Sequence, residues 1–201
     1  MRKRVLSIML FAAASGTVKA MADNAPLWLR DAAISPDGSR IAFTFKGDIY
    51  TVPTTGGKAS RLTALPSLEW APVWSPDGTK IAFATDRNGG SDIYIMGADG
   101  GHDTRLTFDS ASETPEAFTP DGAEIVFSAA IQDAPSSVMF PTARLTEVYT
   151  VPAAGGRTRQ LLSTPAENIS YLPDGKSFLY HDVKGMENKF RKHHTSSVTR
   201  D

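Results

Sequence analysis

The sequence predicts an all-β chain, a β-propeller of four-stranded antiparallel blades that is incomplete at about three and a half blades. Three observations carry that prediction. One motif recurs four times, as SPDGSRIAF at 35–43, SPDGTKIAF at 75–83, TPDGAEIVF at 119–127 and LPDGKSFLY at 172–180. Its prolines lie 40, 44 and 53 residues apart, a period typical of repeated supersecondary units. Downstream distances are fixed: Tyr50 to Gly56, Tyr94 to Gly100 and Tyr149 to Gly155 are each six residues, and so are the steps from those glycines to Leu62, Leu106 and Leu161. By contrast, the triplet glycine to the tyrosine spans 12, 16 and then 27 residues, which confines the length variation to one loop per unit.

Each unit reads as four strands in order. A short apolar run ending in Ile34, Trp74, Phe118 or Tyr171 is the first strand. The Pro-Asp-Gly triplet then turns the chain, because Pro presets its own φ, Asp tolerates the next turn position and Gly supplies a left-handed residue. Ile41-Ala42-Phe43, Ile81-Ala82-Phe83, Ile125-Val126-Phe127 and Phe178-Leu179-Tyr180 follow as the second strand. Three consecutive apolar positions, without alternation, indicate a strand covered on both faces. DIYTV, DIYIM and EVYTV form the third strand, rich in β-branched and aromatic residues. Paired glycines at 56–57, 100–101 and 155–156 turn it into the fourth, SRLT, TRLT or RQLL. Blades are therefore expected at 28–63, 70–107 and 115–162, with an incomplete one at 168–201. A β-sandwich would not hold these spacings, and no Trp-Asp pair closes the third strand as it would in a Trp-Asp propeller. A ring needs about four to eight blades, so the pattern predicts the front part of a longer protein.

Composition narrows the function class. With 21 Lys and Arg against 22 Asp and Glu in 201 residues, the chain has neither the basic excess of a nucleic-acid binder nor an acidic tail. Residues 1–22 read as a secretory signal: Arg2-Lys3-Arg4, a short apolar run and an Ala-x-Ala site at Ala20 and Ala22. Its removal takes away four basic and no acidic residues, leaving 17 − 22 = −5 on a chain that starts near Asp23. Cysteine is absent, so burial and strand pairing must hold an exported fold without disulfides. A soluble periplasmic or secreted product is expected, with no membrane span after signal removal.

The repeated units resemble those of the periplasmic propeller of the Tol system. They are more similar still to the N-terminal propeller of tricorn-type proteases, on WLRDAAISPDGSRIAFTFKGDIYTVP at 28–53, FPTARLTEVYTVPAAGG at 140–156 and RKHHTSSVTRD at 191–201. That resemblance implies a non-catalytic propeller that gates or binds peptides for a secreted serine-type peptidase. It also implies PDZ-like and C-terminal protease domains beyond this chain, and a homo-oligomeric parent. Two alternatives remain open: a Tol-type propeller binding envelope proteins, and the propeller of a prolyl-oligopeptidase-type hydrolase.

Candidate site chemistry is sparse. No G-x-S-x-G, H-E-x-x-H, P-loop or dinucleotide fingerprint occurs. His193 and His194 are adjacent and read as an exposed loop, and His102 and His181 have no ligand cluster near them in sequence. Asp37, Asp77, Asp121 and Asp174 bring one carboxylate per turn, far short of what calcium needs, and read as turn formers. Ser196 and Ser197, beside Asp201 and the basic Lys189, Arg191 and Lys192, read as a surface loop. No catalytic, cofactor-binding or metal residue and no cofactor is therefore assigned. In a four-stranded meander the loops between strands two and three share a ring face with the blade-to-blade connections. The insertions at 130–145 and 182–201 are expected on that face, against substrate or a neighbouring subunit.

Overall fold

The computed structural model describes residues 28–131, 146–162 and 164–182. The expected signal at 1–22 lies outside them. Every regular element among the described residues is a strand, and consecutive strands pair antiparallel within each sheet. The first sheet holds β1 (Arg30–Ile34), β2 (Arg40–Phe45), β3 (Asp48–Pro53) and β4 (Ser60–Arg61). The second holds β5 (Glu69–Trp74), β6 (Lys80–Thr85), β7 (Asp92–Gly97) and β8 (Thr104–Arg105). The third holds β9 (Glu113–Phe118), β10 (Glu124–Ala129), β11 (Glu147–Pro152) and β12 (Arg159–Leu162). β13 (Ala166–Tyr171) and β14 (Phe178–Asp182) pair in a fourth. The sheets follow one another as the blades of an open propeller. No helix among the described residues is long and apolar enough to cross a membrane.

One rule governs how the blades stack. In the second strand, the outer residues of the apolar triplet face the preceding blade and the central residue faces the next. Ile81, Phe83, Tyr94 and Met96 pack on Ala42 and Ile49 of the first blade. Ala82, Ile93 and Ile95 in turn meet Phe118, Ile125, Phe127, Tyr149 and Val151 of the third. Val126 and Val148 meet Ala166, Ile169, Tyr171 and Phe178 of the fourth. Large side chains thus pack on small or β-branched ones at every junction. This two-sided demand is the physical reason the second strand lacks alternation.

The Pro-Asp-Gly turns carry a second repeated device. In the first, Gly38 N donates to Ser35 O at 2.8 Å and Ser35 N donates to Arg40 O at 2.8 Å. The Asp37 carboxylate accepts from Ser35 Oγ at 2.6 Å, Ser39 N at 3.1 Å and Ser39 Oγ at 2.7 Å. Asp77 repeats this set with Ser75 and Thr79. Asp121 and Asp174 keep the backbone bond to residue +2, with Ala123 and Lys176. The glycines sit at φ of 65° to 72°. A Cβ built on Gly78, Gly122 or Gly175 would lie 3.4–3.8 Å from Pro36, Pro76 or Pro120, so each turn rests on the one before it. The triplet therefore serves the stacking of blades as well as the hairpin.

These hydrogen bonds hold the Asp37 and Asp77 carboxyls down at about 2, against an ordinary value of 3.8. For a depressed carboxyl the stabilisation is present above the unfolded value and is lost as pH falls through the folded one. Acidification from about pH 4 to 2 should therefore loosen these turns. Asp77→Asn is expected to flatten that limb of a plot of urea midpoint against pH. An unchanged slope would show that the turn does not contribute.

The outer strand of each blade is pinned by side chains. Arg61 Nη2 donates to Asp48 Oδ1 at 2.7 Å, and Ile49 N donates to Thr63 Oγ1 at 2.9 Å. In the second blade Arg105 bonds Asp92 at 2.9 Å and Ile93 N bonds Thr107 at 2.8 Å. The third blade replaces the ion pair with a neutral donor, Gln160 Nε2 to Glu147 Oε2 at 3.0 Å. β4 and β8 are thus only two residues long, shorter than the SRLT and TRLT runs suggest, because side chains take over the pairing beyond them.

Candidate functional site

The first strands of the four blades run side by side and line a concave groove of about 1090 Å³ along the axis of the arc. What shapes it is a bulge at one position in all four inner strands. The register shifts between Arg30 and Ala33, between Trp70 and Val73, around Glu116, and between Glu167 and Ser170. Asp31, Ala71 and Asn168 occupy equivalent bulge positions at φ of 51°, 51° and 58°. In the third blade that position is Pro115, whose ring cannot adopt a positive φ. The two carboxylates nearest the bulges cross between blades. Asp31 Oδ2 accepts from Ala71 N at 3.3 Å and from Thr44 Oγ1 at 3.2 Å, and Glu116 Oε2 accepts from Ile169 N at 2.6 Å.

Asp31, Glu116 and Glu167 line the groove, and among the described residues no Lys, Arg or His lines it. Its character is that of an acceptor-rich, negatively biased trough, suited to chain segments that bring N–H groups and positive charge. No group of three or more His, Cys, Asp or Glu fit to hold a metal occurs among the described residues.

The groove stands between two differently built ends. At one end lie the Pro-Asp-Gly and paired-glycine turns, tied by Thr54 N to Ser39 O, Ala98 N to Thr79 O and Ala153 N to Ala123 O, each at 2.9 Å. At the other, the loop between strands two and three of each blade accepts from the first residue of the next blade. Those bonds are Glu69 N to Gly47 O at 2.7 Å, Glu113 N to Ser91 O at 3.0 Å and Ala166 N to Thr146 O at 2.9 Å. These loops and the blade-to-blade connections therefore share one face, and Ala130 and Thr146, which flank the long insertion, line the groove there.

The sequence-singled residues separate. Asp37, Asp77, Asp121 and Asp174 sit on the turn face, and hydrogen bonding lowers the carboxyl of each. His102 is exposed at φ 52° after its glycine turn, and His181 Nδ1 lies 2.9 Å from Asn168 Nδ2. Lys189, Arg191, Lys192, His193, His194, Ser196, Ser197 and Asp201 lie outside the described residues, as do 132–145 of the third-blade insertion. Sequence reasoning did not single out Asp31, Glu116 and Glu167. Their common signal is position, three or four residues before the last apolar residue of each inner strand, or two in the case of Glu116.

The first blade also presents an apolar face that no other blade covers among the described residues. Leu29, Ile41, Phe43, Phe45, Tyr50 and Val52 line a cleft on the side where every other blade has a predecessor. Phe43 stacks on Tyr50 at 5.8 Å between ring centroids, as Phe127 stacks on Tyr149 at 5.7 Å.

Comparison with known proteins is consistent with this geometry. Residues 26–200 match the family described as "Tricorn protease N-terminal beta propeller domain". The Tricorn protease homolog 1 of Streptomyces coelicolor is 40% identical over 65 residues, which is 32% of this chain and 6% of that protein. A TolB structure from Agrobacterium tumefaciens is 27% identical with a TM-score of 0.62, covering 76% of this chain and 53% of that one. TolB from Acinetobacter baumannii is 23% identical with a TM-score of 0.65, covering 80% of this chain and 39% of that one. A tricorn protease structure shares the fold at a TM-score of 0.59 and 14% identity, covering 79% of this chain and 19% of that one. The chain therefore spans about half or less of the length of these relatives.

Proposed function

The chain belongs to the tricorn protease N-terminal β-propeller family, and we propose that it supplies the opening blades of a ring that binds and gates peptides for a serine-type peptidase. The observation that carries the reading is the groove itself. Three of the four bulged inner strands present a carboxylate to a trough of a size that admits an extended peptide, and no basic side chain among the described residues lines it. No catalytic role falls to any residue of this chain. PDZ-like and protease domains of the parent follow the propeller, and the parent acts as a homo-oligomer outside the cytoplasm. The basic, apolar and small-residue pattern of residues 1–22 supports export, to the periplasm in a Gram-negative source.

The test is made in the complete parent protein. Ala32 and Ser170 are exposed groove residues on the first and fourth blades. Ala32→Trp and Ser170→Trp should slow hydrolysis of long peptides several-fold and leave a short chromogenic substrate untouched. Equal rates on long peptides would remove the groove from the substrate path. The identity to the Agrobacterium protein, 27% over 76% of the chain, favours a second reading, a Tol-type propeller that binds envelope proteins without a protease. The reading frame beyond codon 201 separates the two: a PDZ-like segment and a serine-protease core follow in one case, further blades alone in the other.

A further inference from the structure

Two buried glutamates begin the inner strands of the second and third blades, and their surroundings differ in charge. Glu69 and Glu113 are both fully buried and hold the same register position, opposite Thr85 and Ala129. Glu69 accepts from Ser67 Oγ at 2.5 Å and Thr85 Oγ1 at 3.2 Å, and Arg87 Nη2 stands 3.5 Å from it. In the third blade the residues equivalent to Thr85 and Arg87 are Ala129 and Ile131, both part of the apolar cluster. Glu113 keeps one hydroxyl, Thr107 Oγ1, which itself accepts from Ile93 N. Its second oxygen, Oε1, is buried without a partner.

We propose that Glu113 is a proton-binding latch between the second and third blades, ionised or neutral according to pH in the range where exported proteins work. Its backbone is the junction: Glu113 N donates to Ser91 O at 3.0 Å, and Ser91 Oγ donates to Glu113 O at 2.6 Å. Every charge that faces it is negative or already engaged. From β7 comes Asp92, held by Arg105 of β8 through Oδ1, with Oδ2 buried and unpartnered. From its own connection comes Asp109, and β10 contributes only Ala129. Across Ala129 in the same register row lies Glu147 of β11, bound by Tyr149 and Gln160. Burial, with Asp92 and Asp109 adding to it against the Thr107 bond, pushes this carboxyl up to about 7 from 4.5. Ser112 and Thr114, the neighbours of Glu113 in sequence, line the groove, so the latch sits at its wall.

For a raised carboxyl, stability is fully present below the unfolded value and is lost as pH rises through the folded one. The junction is therefore tightest near pH 4.5 and loosens up to about 7. The direct test is carboxyl-carbon NMR of the chain labelled at glutamate, with Glu113→Gln assigning the resonance by its disappearance. A midpoint near 7, and a urea midpoint that falls from pH 4.5 to 7 in the parent but not in Glu113→Gln, are expected. If that variant does not fold, Ala129→Thr makes the assignment, because restoring the hydroxyl that serves Glu69 should shift the same resonance down. A midpoint near 4.5, or identical pH profiles for parent and variant, would overturn the proposal.

Discussion

Phe83→Ala is expected to cost about 3–5 kcal/mol, a large part of the stability of a domain this size. Phe83 is fully buried, lies against Tyr94 with ring centroids 6.0 Å apart, and packs with Ala42 and Ile49 of the preceding blade. Truncation leaves a cavity that neither blade can close, since both sheets are held by their own ladders. Phe43 is the same residue of the motif one blade earlier and is itself only 9% exposed, but its cleft has no preceding blade among the described residues. Phe43→Ala should therefore cost only the transfer of one ring, about 1.5–3 kcal/mol, because an open face relaxes into the gap. In a protein whose ring is closed, the two costs should converge. Urea midpoints of both variants, in this chain and in the complete parent, make the comparison. Equal costs in the isolated chain would mean that the Phe43 face is already covered.

The stacking rule explains why so much of the fold was legible. A residue such as Ile81 or Phe83 must satisfy its own hairpin and the next blade at once, so the second strand cannot drift in sequence. The Pro-Asp-Gly turns are constrained twice as well, by the left-handed glycine and by its contact with the proline of the preceding turn. The groove was not legible, because its shape comes from bulges, and a bulge has no residue signature of its own. Asp31, Ala71, Pro115 and Asn168 share a position and no chemistry. Buried Glu69 and Glu113 were hidden for another reason. Composition treats a glutamate as surface by default, and only the surrounding sheet shows that these two are enclosed.

Arg87 carries the second large expected effect, because it is the cation that faces the buried Glu69 carboxylate in the second blade. Its side chain is 15% exposed, and its guanidinium bonds Asp103 and the Thr85 hydroxyl and lies 4.3 Å from the Tyr94 ring centroid. Glu69 is 3.5 Å away, which makes the contact an ion pair and not a hydrogen bond. Arg87→Met keeps much of the volume and removes the charge, stranding Glu69 with two hydroxyls. Breaking a buried pair from one side costs about 3–5 kcal/mol, mostly the penalty of the charge left behind. The double variant Glu69→Gln/Arg87→Met should recover the greater part of that loss, since no charge then remains to be stranded. Urea midpoints of the two single variants and the double variant complete the cycle. Purely additive losses would show that Arg87 acts through its bonds to Asp103 and Thr85 and its stacking on Tyr94 and Phe83, and that Glu69 is held by Ser67 and Thr85 without it.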